Sequence, residues 1–300
     1  MPRLASFDCA QDDISFDCAQ DDISFDMPLF EIVPNLSEGR NVATIDAAIA
    51  AVETTGARVL NRSSDAVHHR SVLTITGSEA AILDASVALA GVALERIDLR
   101  SHSGVHPRIG ALDVLPFVPL KGATLSDAAA LAHRAGAEIW RRYRVPSFYY
   151  GAAAREPERR LLPAIRRNTE WLPDEGDVSR HASAGAIAIG ARDILIAFNI
   201  ELATSDLPAV RTIARAIRER DGGLRSLRAL ALPRGDDRMQ VSLNVTDYAA
   251  TPLYRVVELV RDLAAERGIE VLGCELIGCL PLAAVEAAAA YYLGVTTLCK

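Results

Sequence analysis

One order of periodic segments occurs twice along this chain, and it restricts the fold more than any single motif does. Leu29–Val33 reads as a strand, and Ala43–Glu53 has helical spacing through Ile45, Ile49 and Val52 before Gly56. Arg58–Arg62 and Ser71–Thr76 read as strands, Glu79–Leu94 as a helix and Ala111–Phe117 as a strand. The order is βαββαβ. It returns as strand Ile194–Ile200, helix Leu207–Arg220, strands Leu227–Leu232 and Met239–Val245, helix Leu253–Arg267 and strand Ile269–Leu276. In the last helix Leu253, Val256, Val257, Val260 and Leu263 share one face, as packing on a sheet requires. Two such units imply an α+β chain of two ferredoxin-like sandwich subdomains. We set their bounds at residues 27–178 and 179–300. Between the units lie a helix, Leu125–Arg142, a strand, Ser147–Tyr150, and an irregular stretch of about twenty-five residues, a length that in compact folds usually carries function.

Residues 1–26 stand apart. Ser6–Ile14 is repeated without change as Ser15–Ile23, and Ser24-Phe25-Asp26 begins a third copy before Met27. A nine-residue period fits neither helix nor strand. An acidic disordered tail, a translated upstream repeat with the start at Met27, and a docking arm all fit; we favour the second. The stretch has no basic segment followed by an apolar one, so it does not read as a secretory signal. Its seven aspartates against Arg3 give −6, so of the formal −7 only −1 belongs to residues 27–300. A nearly neutral body argues against nucleic acid as a partner. No apolar run approaches a membrane span. Outside the repeats the cysteines are Cys274, Cys279 and Cys299. With no C-x-x-C spacing they indicate neither a disulfide framework nor zinc, and they point to a reducing cytoplasm. Cys274 and Cys279 sit in apolar sequence and are expected in the core.

The stretch Ser101-His102-Ser103-Gly104-Val105-His106-Pro107-Arg108-Ile109-Gly110-Ala111-Leu112-Asp113 carries the densest chemistry. Pro107 removes a donor and biases His106 toward extended backbone, while Gly104 and Gly110 permit unusual dihedrals. A near-neutral acid/base, a planar cation and a carboxylate on one constrained loop suit proton transfer at a charged substrate. A solvated loop with an idle histidine is the bland alternative. The other histidines offer less. His102 and His106 are four apart but lack the helical face that metal-binding H-E-x-x-H pairs use, and no metal is expected. His68 and His69, read as strand residues, would point to opposite sides. His133 reads as a surface residue of an amphipathic helix.

These and other segments resemble the formiminotransferase domain, which stands alone in many bacteria and is fused to a cyclodeaminase in animals. The resemblance covers about Leu29 to Leu293. It rests on Val33-Pro34-Asn35-Leu36-Ser37-Glu38-Gly39-Arg40, on Asp65 with His68-His69-Arg70-Ser71-Val72, and above all on His106–Phe117. Glu170-Trp171, Pro173-Asp174, Gly190-Ala191-Arg192, Leu195–Ile200, Gly273, Leu276-Ile277-Gly278 and Pro281-Leu282 follow in order. It implies transfer of a formimidoyl group from N-formimino-L-glutamate to N5 of tetrahydrofolate, a step of histidine degradation. Tetrahydrofolate is then the co-substrate and a separate cyclodeaminase the next enzyme. A homodimer is the assembly the resemblance suggests.

The family's catalytic histidine maps onto His106. Its folate-contacting loop, which the resemblance places in a ligand groove between the two subdomains, maps onto Gly176-Asp177-Val178-Ser179-Arg180-His181-Ala182-Ser183-Ala184-Gly185, in which only Gly176, Ser183 and Gly185 match and Arg180 and His181 depart. Ser63 and Ala152 stand where animal members carry carboxylates, and no carboxylate role transfers to them. In the reaction N5 loses a proton and the leaving glutamate nitrogen gains one, so one imidazole can serve both steps. Arg40, Arg70, Arg108 and Arg192 are candidates for the substrates' carboxylates. Glu38, Asp65 and Asp113 are candidates for orienting the imidazole or offsetting the cationic amidine. Two alternatives keep the fold: another donor such as formiminoglycine, and a folate-binding module without catalysis.

Overall fold

A computed structural model describes residues 27–66, 68–103, 107–168, 170–177, 180–235 and 237–295. The expectations for residues 1–26, His106, Val178, Ser179 and Cys299 therefore lie outside the described residues.

The first unit runs β1 (Leu29–Ile32), β2 (Asn35–Leu36), α1 (Val42–Glu53), β3 (Arg58–Asp65), β4 (Arg70–Ser78), α2 (Glu79–Arg96) and β5 (Leu112–Pro119). It continues through α3 (Leu125–Tyr143), β6 (Ser147–Gly151), α4 (Leu162–Arg167) and β7 (Ile187–Ala191). Helix starts follow local chemistry: Asn41 accepts from the Thr44 N–H, Ser78 from the Ala81 N–H, and Thr124 with Asp127 forms a reciprocal capping box. Strand β1 lies between β4 and β5, antiparallel to both, and β3 flanks β4. Beyond β5 the sheet gains β7 and then β6, both parallel. Alternation in β1 turns Phe30 and Ile32 into a core shared with α1, α2 and α3. Strands β5, β6 and β7 are buried nearly throughout, as parallel strands covered on both faces are. Ile109, Val114, Phe148, Tyr150, Ile165, Ala186 and Ala188 form the second cover.

The second unit runs β8 (Ile196–Leu202), α5 (Leu207–Ile217), β9 (Leu227–Gly235), β10 (Arg238–Val245), α6 (Leu253–Ala265), β11 (Val271–Ile277) and α7 (Leu282–Leu293). Its sheet order is β11-β8-β10-β9, antiparallel throughout, around a separate core. The chain is thus α+β with two sheets, and each carries the βαββαβ order with the fourth strand beside the first.

The structure differs from the sequence reading in four places. Ile187–Ala191 is a strand of the first sheet, so the passage to the second sheet comes at residues 192–195 and not at 178/179. Cys274, on edge strand β11, and Cys279, in the segment that follows it, are exposed and not in the core. His133 is partly buried, its Nε2 2.8 Å from the Ala153 carbonyl and its ring edge-on to Tyr149. His68 and His69 belong to the turn between β3 and β4, not to a strand, and His69 has φ 51°.

Candidate functional site

Two segments far apart in sequence are joined here by backbone hydrogen bonds. Ala111 N–H donates to Ala184 O and Ala186 N–H to Ile109 O, both at 2.9 Å, and Leu99 N–H donates to Ser183 O at 2.9 Å. Glycine makes this approach possible. A Cβ on Gly110 would stand 2.0 Å from the Ala186 carbonyl oxygen, and one on Gly185 (φ +70°) 2.1 Å from that of Ile109. The loop before β5 and the stretch before β7 therefore form one wall.

That wall bounds a cavity of about 720 Å³ lined by Leu99, Arg100, His102, Ser103, Arg108, Ile109, Arg180, His181, Ala182 and Gly185. Its size suits a small-molecule site. Among the described residues no carboxylate lines it. The expected groove between the units is not where this cavity lies: every lining residue precedes β7, because residues 180–186 return to the first sheet.

Arg108 is part of the cavity wall. Its guanidinium donates to the His68 carbonyl at 3.2 Å, and one nitrogen lies 2.5 Å from His102 Nδ1. The rings of His102 and His69 have centroids 3.8 Å apart. His69 Nδ1 accepts from the Gly39 N–H at 3.1 Å and is 3.3 Å from Glu38 Oε1. The same Glu38 oxygen accepts the Arg40 and Asn41 N–H groups at 2.7 and 2.9 Å. Burial pushes the Glu38 carboxyl up, but these donors and nearby His69 outweigh it and hold it below the ordinary range. Burial lowers His69, Glu38 opposes this, and Arg40 and Arg108 add to it.

Asp113 takes a different part from the one expected. It is fully buried, and its Oδ2 accepts from Arg70 and from Arg166, each at 2.7 Å, while its Oδ1 accepts the Ile109 N–H at 2.7 Å. Burial raises its pKa, yet the two guanidiniums and the N–H leave it below the ordinary value. Arg70 also donates to Asn35 Oδ1. Asp113 and Arg70 thus brace the loop from behind and do not line the cavity. Arg166, in α4, was not singled out in the sequence because no spacing connects it to Asp113.

The remaining candidates separate. Asp65 accepts from the His68 N–H at 2.8 Å and pairs with its ring, closing the β3–β4 turn, and Arg40 Nε donates to Ala66 O on that turn. Arg192 is not at the loop: it follows β7, its N–H bonds Phe117 O, and it lies roughly 13 Å along the strand from Asp113. Burial lowers its pKa there, and Tyr150 and Glu31 counter that. In the expected folate loop Arg180, His181, Ala182 and Gly185 line the cavity, and Ser183 and Ala184 supply its backbone bonds. Gly176 packs on Trp140 and Pro146, and Asp177 is exposed. Among the described residues no three His, Cys, Asp or Glu side chains are grouped to hold a metal.

Residues 29–192 match the formiminotransferase domain, N-terminal subdomain, and residues 197–299 match the formiminotransferase domain. The chain belongs to the formiminotransferase family. It is 40% identical over 284 residues to a glutamate formimidoyltransferase of Thermoplasma acidophilum, covering 89% of this chain and 93% of that protein. A glutamate formimidoyltransferase of Streptococcus pyogenes is 37% identical over 280 residues, covering 89% and 94%. A formimidoyltransferase-cyclodeaminase of Rattus norvegicus is 37% identical over 283 residues, covering 88% of this chain and 52% of that one. The two family matches meet between residues 192 and 197, where the chain passes from one sheet to the other.

Proposed function

We propose that this protein transfers the formimidoyl group of N-formimino-L-glutamate to N5 of tetrahydrofolate, releasing L-glutamate and 5-formimidoyltetrahydrofolate. The observation that carries the reading is the junction of Gly110 with Gly185, which brings the stretch matched to the family's catalytic loop against the one matched to its folate loop. The first two relatives named above are glutamate formimidoyltransferases with which it is collinear over nearly their whole length.

In this reading N5 attacks the amidine carbon, and the tetrahedral intermediate expels the glutamate nitrogen. The proton lost by N5 reaches the leaving nitrogen through His106, base in the first step and acid in the second. Such transfer typically contributes ~10²–10⁴-fold, and positioning of two bound substrates supplies much of the rest. Arg108 and Arg180 suit the carboxylates of the donor and of the folate tail, since both line the cavity, whereas Arg100 there is already paired with Asp98. The two βαββαβ units are ferredoxin-like sandwiches, the first enlarged by β6 and β7. The enzyme works in the cytoplasm, and a cyclodeaminase, the activity named in the animal relatives, consumes its product.

Turnover with formiminoglutamate and with formiminoglycine tests the proposal. The first is expected to react at least tenfold faster at equal subsaturating concentration, about 1.4 kcal/mol of preference. Equal rates, or folate binding without turnover of either, would contradict it. His106→Ala is expected to lose most of kcat while folate affinity changes little.

A further inference from the structure

His102 offered no metal-binding helical face by sequence, yet it is the one described ring that combines the cavity wall with a charged partner. Its Nδ1 lies 2.5 Å from a nitrogen of Arg108, and its Nε2 is 3.5 Å from the same atom. A guanidinium has donors only, so the ring nitrogen it approaches must present a lone pair. That places the ring proton on Nε2. A second proton on Nδ1 would set N–H against N–H between two cations. The surrounding groups agree. Arg108 faces the ring from its own loop, His69 from the β3–β4 turn, and Arg40 and Glu38 from the segment before α1. Only Glu38 favours a charged ring, and its Oε1 is already engaged by two backbone N–H groups. Burial first, then His69 and Arg108, pull the His102 pKa down to about 4.

His69 behaves as a support. The Gly39 N–H fills its Nδ1, and its own ring, 3.8 Å away and tilted by 40°, limits the movement of His102. Gly39 is held in place in turn: a Cβ there would stand 2.2 Å from the Asp65 carbonyl oxygen and 2.5 Å from Arg70 N. The ring is thus fixed in orientation and in tautomer.

We propose that His102 is a locked neutral imidazole whose Nε2–H donates a hydrogen bond to a substrate carboxylate in this cavity, and that it takes no part in proton transfer. The inference rests on placing the substrates in this cavity, as argued above. A carboxylate is the chemistry that fits, because Arg108 and Arg180 line the same space, beside Arg100, which is already paired with Asp98. Both the donor and the glutamate tail of folate carry that group. A neutral donor aids such a ligand without becoming an acid that competes with the transferring imidazole.

Histidine-labelled full-length protein, followed by nitrogen NMR, tests the lock directly. His102 is expected to show an unprotonated Nδ1 and a protonated Nε2, without titrating between pH 5.5 and 8. Added L-glutamate is expected to shift the Nε2–H resonance. A protonated Nδ1, or a ring that titrates in that window, would overturn the lock. The expected tautomer with no response to glutamate or to tetrahydrofolate would overturn the placement of substrates instead. In kinetics, His102→Ala is expected to raise a substrate KM by about 10- to 100-fold with a smaller loss in kcat, as for one hydrogen bond to a charged group. His102→Gln, which keeps a donor, is expected to restore most of that loss. If the KM affected is that of formiminoglutamate, the carboxylate is the donor's. If it is that of tetrahydrofolate, and tetrahydropteroate is insensitive to the substitution, it is the folate tail's. Either result supports the proposal. Loss of kcat together with loss of one limb of the pH profile would show that His102 transfers protons.

Discussion

Replacing Asp113 by asparagine removes one negative charge from a fully buried site, and the structure sets the size of the effect. The carboxylate is fully buried and holds two guanidiniums and a backbone N–H, all at 2.7 Å. Breaking a buried ion pair from one side costs about 3–5 kcal/mol, because the partner charge stays buried. Asparagine keeps one acceptor oxygen, so we expect about 3 kcal/mol, and the upper end of that range for alanine. At roughly 2–4 °C per kcal/mol for a unit of this size, Asp113→Asn should lower the melting midpoint by about 6–12 °C. The two units have separate cores, so the probe must report the first alone. Trp140 and Trp171 both lie there and are the chain's two tryptophans, which makes their fluorescence the right signal. The exposed pair Arg62–Asp46, at 2.6 Å, is the control. Asp46→Asn should cost less than about 1 kcal/mol despite the shorter distance. The sign with pH follows from the depressed carboxyl. Its contribution is complete above the unfolded value near 3.9 and is lost as pH falls through the lower folded value. Asp113→Asn should therefore flatten the acid limb of the stability curve. A cost under about 1 kcal/mol, or an acid limb unchanged by the substitution, would refute the bracing role.

Other consequences follow from the same geometry. Gly185→Ala should separate the two cavity walls and raise the KM for tetrahydrofolate, whereas Gly222→Ala, also at positive φ but with open space around it, should cost only about 1 kcal/mol of stability and leave KM alone. Equal effects of the two would argue against the close approach. Both His69 and His102 have lowered pKa values, so the folded state favours their neutral rings. That stabilisation is complete above the unfolded histidine value near 6.5 and declines as pH falls toward 4, so a urea midpoint that stays level across this window would disagree. We expect a homodimer that covers edge strand β11, with exposed Leu272 and Leu276, and the exposed Leu282, Val285 and Leu293 of α7. Leu276→Arg should shift sedimentation toward the monomer, and an unaltered profile would move the interface elsewhere.

The doubled βαββαβ order was legible because long helices and alternating strands announce their periods. Strand β7 was not. Ile187-Ala188-Ile189-Gly190-Ala191 is five residues long, rich in small side chains and buried on both faces, so it carries neither alternation nor β-branched length. Helix α7 is alanine-rich and nearly featureless in pattern, and it too escaped notice. Pro107 and Gly110 announced the irregular backbone before β5, and the assignment of the folate loop came through resemblance. What no spacing could reveal is tertiary. Arg166 reaches Asp113 across 53 residues of sequence, and His69 meets His102 only because a hairpin turn folds over the loop. Those two contacts reassigned Asp113 from chemistry to support and raised His102 from a bystander to a proposed ligand contact.

A crystal structure of the protein with tetrahydrofolate bears most directly on the central claim. The account predicts the pteridine in the cavity bounded by Arg108, His181 and Gly185, with no rearrangement of the Gly110–Gly185 junction. A pteridine seated on the second sheet, leaving that cavity to solvent, would contradict it.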